Sequence, residues 1–539
     1  MSKKLFVYIL SMVFSSTFVW GQQGPAGVGN NDGVSTLRLW LDADQGLFSD
    51  TLGLQMCTNK TKVKLWKDLS GSQNHVYATS DSSAPVWFSN ADIANANGAV
   101  RFYKNLDSNN LRNFLVSKKF DKTNDISIYC VFHPTTKADG NNVTPASATT
   151  FSPDMWYYGC GIVDCPNPGF SNDISLSMCD TSIVAGVGDS TKKEDYCIKS
   201  PLKIAQTQFA SIEKNAWSGT LVLSRNGLQK NAYQVGTQPV NDATNYFIGA
   251  NSNVYYKGLS PFFDGSISQV LIYNRILNAA EKIVLENYIS AKYNIQIDQK
   301  DIFKYDLTSL GDFDNELVGV GKATDGSKHL SAKGEGIVHL YGNENYDFNE
   351  FVLLAHNKGN TDFSELNYSN GIDKLLNRQW IFDATKDTSL INLDVNISGI
   401  NKSSDQIVLV FDMNKNGDYS DEILNYGIVY PLKNSNNILS YRDLKVFSGL
   451  KFTIGILENP CQTPNCQSFF TPNGDGEADT YFVENKGSVK IYNKTGNLVK
   501  SIMGPAYWDG TDNSGNPLAP GIYFVTAKDN TDKTVTLIK

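Results

Sequence analysis

The 539-residue sequence predicts an all-β protein of several domains, and composition and turn spacing both support this class. Hydrophobic residues make up 41% of the chain, whereas charged residues make up only 19%. That balance excludes a disordered chain and a long helical array. Short apolar runs are separated, about every 8–12 residues, by clusters of Asn, Gly, Asp and Ser, the spacing typical of sandwiches and barrels.

The first half of the chain shows the clearest strand patterns, followed by one helix. Strands are predicted at 37–41, 126–129, 220–224 and 266–273. The helix is predicted from Ala279 to Lys292, because Asn278 precedes it and Glu281 follows three residues later, as in a capping box. We expect this helix to close the first domain, which spans residues 22–298.

A second β region is predicted over residues 299–457. The stretch 458–467 holds two prolines and two cysteines and is interpreted as a linker. Residues 468–539 are expected to form a small third domain of short strands. The strand-like runs behind these predictions are 351–355, 379–382, 406–411, 450–456, 488–493, 498–502, 521–528 and 533–538.

Residues 1–21 predict a secretory signal peptide. Lys3 and Lys4 precede an apolar run from Leu5 to Trp20, which is short for a membrane anchor. The net charge of −8 argues against a nucleic-acid-binding protein. We therefore expect a protein that is secreted or held at the outer cell surface.

Export permits disulfide bonds, and eight cysteines are present. The segment 136–200 shows little strand pattern and is interpreted as a Cys-rich insertion between strands of the first domain. Pairing cannot be deduced from sequence. The close pairs Cys160–Cys165 and Cys461–Cys466 are the preferred disulfides. Cys179 and Cys197 are further candidates, and a zinc site is the alternative, although no CxxC pair occurs.

Three stretches of the first domain carry a family resemblance: LRLWLDADQG (37–46), KLWKDLSGSQNHVYA (64–78) and FDGSISQVLIYNRILNAAEKIVLENYISAKYNI (263–295). They resemble the laminin-G-like, concanavalin-A-like lectin/glucanase jelly rolls of secreted bacterial proteins. The resemblance implies a jelly-roll sandwich of two stacked antiparallel sheets. It also implies a carbohydrate or another cell-surface molecule as ligand.

Three stretches of the third domain carry a second family resemblance: FFTPNGDGEADTY (469–481), VKIYNKTGNLVKS (489–501) and YWDGTDNSGNPLAPGIYFVTA (507–527). They resemble the type B sorting domain of the type IX secretion system of Bacteroidetes, also called the gliding-motility-associated C-terminal domain. This family usually has Asn where Ala478 stands. The signature residues here are Pro472, Asn473, Gly474, Asp475, Gly476, Asp479, Trp508, Asp509, Gly510 and Gly521.

That resemblance implies a compact Ig-like β-sandwich that directs export across the outer membrane. The implied partners are the type IX translocon and a PorP/SprF-like outer-membrane protein. The middle domain is expected to be sandwich-like. Its stretches LLNRQWIFDAT (375–385) and IVLVFDMNKNGDYSDE (407–422) are similar to a β domain of unassigned function that often lies between the other two.

The loop after the strand at 406–411 has the ligand spacing of an EF-hand calcium loop. Oxygen-bearing side chains stand at positions 1, 3 and 5, with Gly417 at position 6. Position 12 is Ile423, and the acids stand at 10 and 11 instead. A polar hairpin turn is the alternative. The candidate calcium ligands are Asp412, Asn414, Asn416, Asp418, Asp421 and Glu422.

Two groups of residues are candidates for ligand binding in the first domain. Trp156, Tyr157 and Tyr158 could stack on a sugar ring, although aromatic residues also bury readily. Asp68 and Asn74 could line a ligand loop, although turn formation is the alternative. We expect a binding protein and no enzyme, because neither an E-x-D-x-E pattern nor a G-x-S-x-G elbow occurs. A divergent glycoside hydrolase and a purely structural stalk are the alternatives.

Overall fold

A computed structural model describes most of the chain. The described residues are 23–104, 112–138, 156, 159–165, 167, 171–251, 262–297, 300–333, 337–365, 372–398, 407–422, 427–457, 469–474, 479–527 and 532–538. The predicted signal peptide lies outside them. The described chain is nearly all β, as predicted, and none of its helices is long and apolar enough to cross a membrane.

Contacts divide the chain into two units, residues 1–286 with 331–339 and residues 287–330 with 340–539. The predicted boundaries at 298 and 457 stay predictions. The strands of the first unit are β1 Leu37–Asp42, β2 Leu47–Phe48, β3 Leu65–Trp66, β4 Val76–Tyr77, β5 Val86–Phe88, β6 Ala99–Phe102, β7 Leu115–Ser117, β8 Ile126–Pro134, β9 Cys160–Cys165, β10 Ile174–Cys179, β11 Ser182–Asp189, β12 Glu194–Pro201, β13 Gln208–Asn215, β14 Thr220–Arg225, β15 Leu228–Gln234, β16 Phe247–Ile248 and β17 Gly265–Tyr273.

These strands form two antiparallel sheets around one core. One sheet runs β15-β14-β13-β8-β17-β6-β5, with β1 also paired to β17, and the other runs β12-β11-β10-β9-β16-β7-β4-β3-β2. Alternating side chains of both sheets meet in the core, where Ile128 and Val270 of the first join Val163 and Leu176 of the second. The first unit is therefore a β-sandwich.

The segment 136–200 is not the strand-poor insertion that the sequence predicts. It contributes β9 to β12, which pair in order at one end of the second sheet. On one face of these strands stand small or polar residues such as Ser175, Ser177 and Gly186, while Leu176 and Ile183 point into the core. The alternation of Ile174, Leu176 and Met178 with serines is the pattern of a half-buried strand, so the sequence carried a signal that the prediction of an insertion overlooked.

Helix α1 spans Ala279–Tyr293, one residue beyond its predicted end. Its capping box is formed as predicted. Asn278 Oδ1 accepts the Glu281 backbone N–H at 2.9 Å, and Glu281 Oε2 accepts the Asn278 N–H at 2.9 Å. Short 3-10 helices occur at Pro25–Gly27, Asp92–Ala94 and Thr308–Leu310.

The next group of strands is β18 Asn315–Lys322, β19 Lys328–His329, β20 Ser331–Lys333, β21 Val338–Gly342, β22 Glu350–His356, β23 Phe363–Glu365, β24 Ile372–Leu376, β25 Trp380–Ala384, β26 Ser389–Asn396, β27 Ile407–Asp412, β28 Ile428–Val429, β29 Lys433–Ser435, β30 Ile438–Val446 and β31 Lys451–Leu457. One sheet runs β19-β18-β22-β25-β31-β24-β23, with β27 paired to β31 and β28. Trp380 stacks on Phe452 at its centre, with ring centroids 5.4 Å apart. A second sheet contains β26, β30 and β29 in that order.

The last strands are β32 Phe469–Phe470, β33 Tyr481–Asn493, β34 Leu498–Trp508, β35 Gly521–Ala527 and β36 Asp532–Leu537. They form a five-stranded sheet in the order β32-β36-β35-β33-β34, in which only β32 and β36 are parallel. Phe470, Trp508, Tyr523 and Val525 lie in its core.

Candidate functional sites

Three loops of the first unit meet at one end of its first sheet. β8 begins at Ile126 beside the end of β17, because Ser127 pairs with Tyr273. The hairpin between β13 and β14 turns at the same end, since Lys214 pairs with Ile126. The strand register therefore brings residues 122–125, 215–220 and 274 together.

A polar cavity of about 450 Å³ opens among these loops. Thr123 and Val240 exchange two backbone hydrogen bonds, of 3.0 and 2.9 Å, which join two of its walls. Asn274 Oδ1 is buried there without a hydrogen-bond partner. Its volume is typical of small-molecule pockets. The lining residues are Lys122, Thr123, Asn124, Asp125, Pro239, Asn241 and Asn274.

Trp217 stands at the tip of the adjacent hairpin and is 90% exposed. Its loop is tied to the cavity, because the backbone N–H of Ala216 donates to Asp125 Oδ1 at 2.7 Å. An exposed indole thus belongs to a turn whose backbone is bonded to a lining residue of the cavity. We call Trp217 and the residues that line this cavity the Trp217 cleft.

A buried lysine supports one wall of the Trp217 cleft. Lys214 is fully buried, and its Nζ donates to the carbonyl oxygens of Gly236 and Gln238 at 3.0 and 2.9 Å. Burial lowers the pKa of Lys214 to about 8. These bonds fix the segment that leads into Pro239.

A second cavity, of about 260 Å³, lies among Phe88, Arg101, Tyr103 and His133. The positive charge of Arg101 in this cavity is already compensated. A guanidinium nitrogen of Arg101 lies 2.6 Å from Asp264 Oδ1, and the guanidinium group lies over the ring of Tyr103. Burial lowers the pKa of His133, with Arg101 adding to the effect. This cavity therefore offers fewer uncommitted polar groups than the Trp217 cleft.

The aromatic candidate Trp156 is buried, which corrects its predicted role in sugar stacking. It is 3% exposed and lies against Gly186, where an added Cβ would meet the indole at 2.1 Å. Glycine has no side chain, which leaves space for the ring. The alternative given above, that this aromatic residue is buried, therefore applies to Trp156. Tyr157 and Tyr158 lie outside the described residues.

Asp68 and Asn74 build a turn instead of a ligand surface. Asp68 is 6% exposed and accepts hydrogen bonds from the N–H groups of Trp40, Ser70 and Asn74, each at 2.9 Å. Asn74 is fully buried, and its Nδ2 donates to the Arg38 carbonyl oxygen at 2.8 Å. Buried side chains cannot reach a ligand, so the predicted binding role of both residues is wrong.

Two carboxylates lie close together, Asp195 on β12 and Asp173 beside the start of β10. The Oδ1 atoms of Asp173 and Asp195 lie 2.7 and 3.0 Å from the point that a Cβ on Gly188 would occupy. Asp173 is only 2% exposed. Burial raises its pKa well above the ordinary range, and Asp164 and Asp195 add to the effect. Neither residue of the pair lines the two cavities above.

The preferred pair Cys160–Cys165 is also wrong. The two residues are the first and last of β9, so their Cα atoms are about 16 Å apart, far beyond disulfide reach. Cys165, Cys57 and Cys130 are free thiols. Burial raises the pKa of Cys179 to about 12, with Cys160 and Cys197 as the next contributors. Cys179 and Cys197 stay disulfide candidates without an assigned pairing, and Cys461 and Cys466 lie outside the described residues.

The predicted calcium loop follows β27, and five of its six candidate residues converge. Asp412 and Glu422 are buried, and Asp421 Oδ2 accepts the Nδ2 groups of Asn414 and Asn416 at 2.9 and 3.0 Å. Burial, with Asp421 and Asp412 nearby, raises the pKa of Glu422 to about 7. The sixth residue, Asp418, is exposed and accepts the Ser420 N–H at 2.9 Å, so it does not point into the loop.

The described residues of the sorting signature come together at one end of the last sheet. Asp479 Oδ1 accepts the N–H groups of Asn473 and Gly474 at 3.1 and 2.7 Å. Trp508 is 1% exposed and donates from Nε1 to the Thr511 carbonyl oxygen at 2.9 Å. Asp475 and Gly476 lie outside the described residues.

The turn after Trp508 completes the signature. Asp509 Oδ1 accepts the Thr511 N–H at 3.1 Å. Gly510 has φ +74°, and a Cβ there would meet Leu537 at 2.7 Å and Pro472 at 3.1 Å. Gly521 begins β35 opposite Leu537. The signature therefore fixes a turn against the sheet's core.

Comparison with known proteins identifies the C-terminal domain. Residues 464–537 match the family model of the CHU_C Type IX secretion signal domain. The chain thus carries a type IX secretion signal, which indicates export out of the cytoplasm. No curated protein matches the chain.

Solved structures show only distant similarity. Domain 4 of AbnA, a GH43 extracellular arabinanase from Geobacillus stearothermophilus solved with arabinotriose, is 14% identical (TM-score 0.28) and covers 47% of this chain and 97% of its own. The Ruminococcus gnavus IT-sialidase CBM40 bound to α2,3-sialyllactose is 11% identical (TM-score 0.23), over 30% of this chain and 82% of its own. The Botulinum Neurotoxin Type G receptor binding domain is 13% identical (TM-score 0.30), and the match covers 87% of this chain and 92% of its own.

Proposed function

We propose that this exported protein binds a glycan at the cell surface or in the medium, and that the Trp217 cleft is the binding site. Two observations carry the proposal: an indole that is 90% exposed, and a cavity of about 450 Å³ lined by Lys, Asn and Asp side chains. They are joined by the hydrogen bond of Ala216, the neighbour of Trp217, to the lining residue Asp125. An isolated exposed tryptophan loses favourable burial, so a ligand that covers it gains free energy.

A sugar ring fits this combination of surfaces. Its C–H face packs on an aromatic ring, and its hydroxyl groups exchange hydrogen bonds with amide and carboxylate side chains. Asn124, Asp125, Asn241 and Asn274 supply donors and acceptors within the same cavity, and Lys122 adds a cation. Lys122 favours a glycan that carries a carboxylate or sulfate over a neutral one.

The test is a glycan array probed with the full secreted chain, with soluble glycan as competitor. We expect binding to a few related glycans that competitor abolishes. Absence of binding to every glycan would contradict the proposal and favour the structural stalk. Release of reducing ends from a bound glycan would instead favour the hydrolase alternative.

We further propose that residues 464–537 engage the type IX translocon and a PorP/SprF-like outer-membrane protein. The family match over these residues supports this partnership. Crosslinking in cells that export the protein should capture both partners, and a chain without the domain should capture neither.

A further inference from the structure

The turn after β27 holds three carboxylates that form no ion pair with a described residue. Asp412 is 1% exposed and Glu422 is fully buried. Asp412 Oδ1, Asp421 Oδ1 and Glu422 Oε2 are buried and have no hydrogen-bond partner among the residues that the structure describes. The turn's lysine, Lys415, points elsewhere and donates to the Ser448 carbonyl oxygen at 3.2 Å.

Hydrogen bonds within the turn hold these carboxylates inward. The Gly417 N–H donates to Asp412 Oδ2 at 3.1 Å, and the Met413 N–H donates to Glu422 Oε1 at 2.9 Å. In each of these two carboxylates, a backbone N–H therefore binds one oxygen. The other oxygen has no hydrogen-bond partner among the described residues. Buried charges without partners are strongly unfavourable, so a bound cation would stabilise this arrangement.

Two asparagine amides partly compensate the negative charge of Asp421. The Nδ2 groups of Asn414 and Asn416 both donate to its Oδ2. Each amide oxygen accepts one backbone N–H, from Asn416 at 3.1 Å and Asp418 at 2.6 Å, and keeps a second lone pair. Among the described residues no three acidic, His or Cys side chains already stand as a complete metal site. Binding therefore requires the amide groups to turn away from Asp421.

We propose that Asp412, Asn414, Asn416, Asp421 and Glu422 form a calcium site that fastens this turn to the strand. Glu422 supplies the acidic oxygens that an EF-hand loop takes from its twelfth residue. This site is separate from the Trp217 cleft and does not depend on glycan binding.

The ligand chemistry selects calcium. Every ligand is an oxygen, which excludes the soft metals that prefer thiolate or imidazole. Calcium accepts six to eight oxygens in irregular geometry, whereas magnesium demands a near-ideal octahedron that a loose turn does not provide. Extracellular calcium sites bind at about 10⁻⁴–10⁻³ M, which suits an exported protein.

The test is thermal unfolding of the full chain, purified in chelator and then titrated with calcium or magnesium. We expect calcium at about ten times its Kd to raise one transition by about 3–6 °C, and magnesium to raise it far less. Terbium luminescence excited through Tyr419, which is 5% exposed in the same turn, gives an independent binding signal.

Substitutions of single carboxylates test which residues bind the calcium ion. Asp412→Asn and Glu422→Gln should abolish the calcium shift and the terbium signal, and should raise the calcium-free Tm because each removes a buried charge. Asp418→Asn is the matched control and should keep both responses, because its side chain is exposed. A calcium shift that is absent in the parent, or unchanged in Asp412→Asn and Glu422→Gln, would overturn the proposal.

Discussion

Asp306 lies among other carboxylates at the beginning of the second unit. Burial raises its pKa to about 6, and Asp301 is the next cause. Asp314 and Asp383 contribute in the same direction. The folded chain therefore holds this proton up to about pH 6, whereas the unfolded chain loses it near pH 4. Stability associated with Asp306 is present at low pH and is lost as the pH rises through this window.

We predict that Asp306→Asn stabilises the second unit at pH 8 and leaves it unchanged at pH 4. After solvent screening the gain is about 1 kcal/mol, or about 2–4 °C in Tm. Thermal unfolding of the chain at both pH values checks this. Asp312→Asn, at an exposed position of the same segment, should not alter the pH profile. Equal effects of both substitutions at pH 8 would refute the assignment.

The burial of a single aromatic residue could not be predicted from the sequence. In the sequence Trp156 is followed by Tyr157 and Tyr158, whereas Trp217 stands in a polar turn, and only Trp217 is exposed. Gly186, thirty residues after Trp156, makes the room that buries it, and only the strand register reveals this contact. The turn Asn-Ala-Trp-Ser-Gly between two alternating runs is the local signal that could have identified Trp217.

At the scale of elements, we predict that alanine substitutions at two glycines after Trp508 differ in their effect on stability. Gly510 and Gly515 both have positive φ, but only Gly510 is crowded, by Leu537 and Pro472. Gly510→Ala should cost about 2–4 kcal/mol, since overpacking adds to backbone strain, whereas Gly515→Ala should cost about 1 kcal/mol. Unfolding of the full chain measures both. Similar losses for the two variants would contradict the proposed packing.

Elements with strong local signals were predicted well. Helix α1 is confirmed because its capping box is a local interaction, and β1, β8, β14 and β17 are confirmed because their apolar residues alternate or run unbroken. The strands β9 to β12 were missed although β10 alternates apolar and serine residues, because the cysteines of this segment were interpreted as the mark of an insertion. The calcium loop was recognisable by spacing, but the inward position of Glu422 and the outward position of Asp418 depend on the folded turn.

At the scale of the whole molecule, export should depend on the C-terminal domain. A chain that ends at residue 463 lacks the whole family match and should remain inside the outer membrane. Immunoblots of cell and medium fractions, with protease added to intact cells, measure this. Residues 464–539 fused to a folded reporter that carries a signal peptide should restore export. Surface delivery of the shortened chain would show that another segment directs secretion.

The C-terminal secretion signal could be predicted from sequence because its signature is contiguous, whereas the site that we propose for ligand binding could not. The Trp217 cleft combines residues 122–125, 217, 239–241 and 274, which only sheet pairing brings to one edge. Composition and motifs therefore indicate an exported β protein, and the three-dimensional register is needed to propose a binding site.

The most direct test of this account is the affinity of the full chain and of Trp217→Ala for the strongest array glycan. We predict that the substitution weakens binding about 10- to 100-fold with no change in Tm, because it removes an exposed stacking surface. Phe348→Ala, at a residue that is 63% exposed in the second unit, should leave affinity unchanged. Equal affinity of the parent and Trp217→Ala would contradict the central claim.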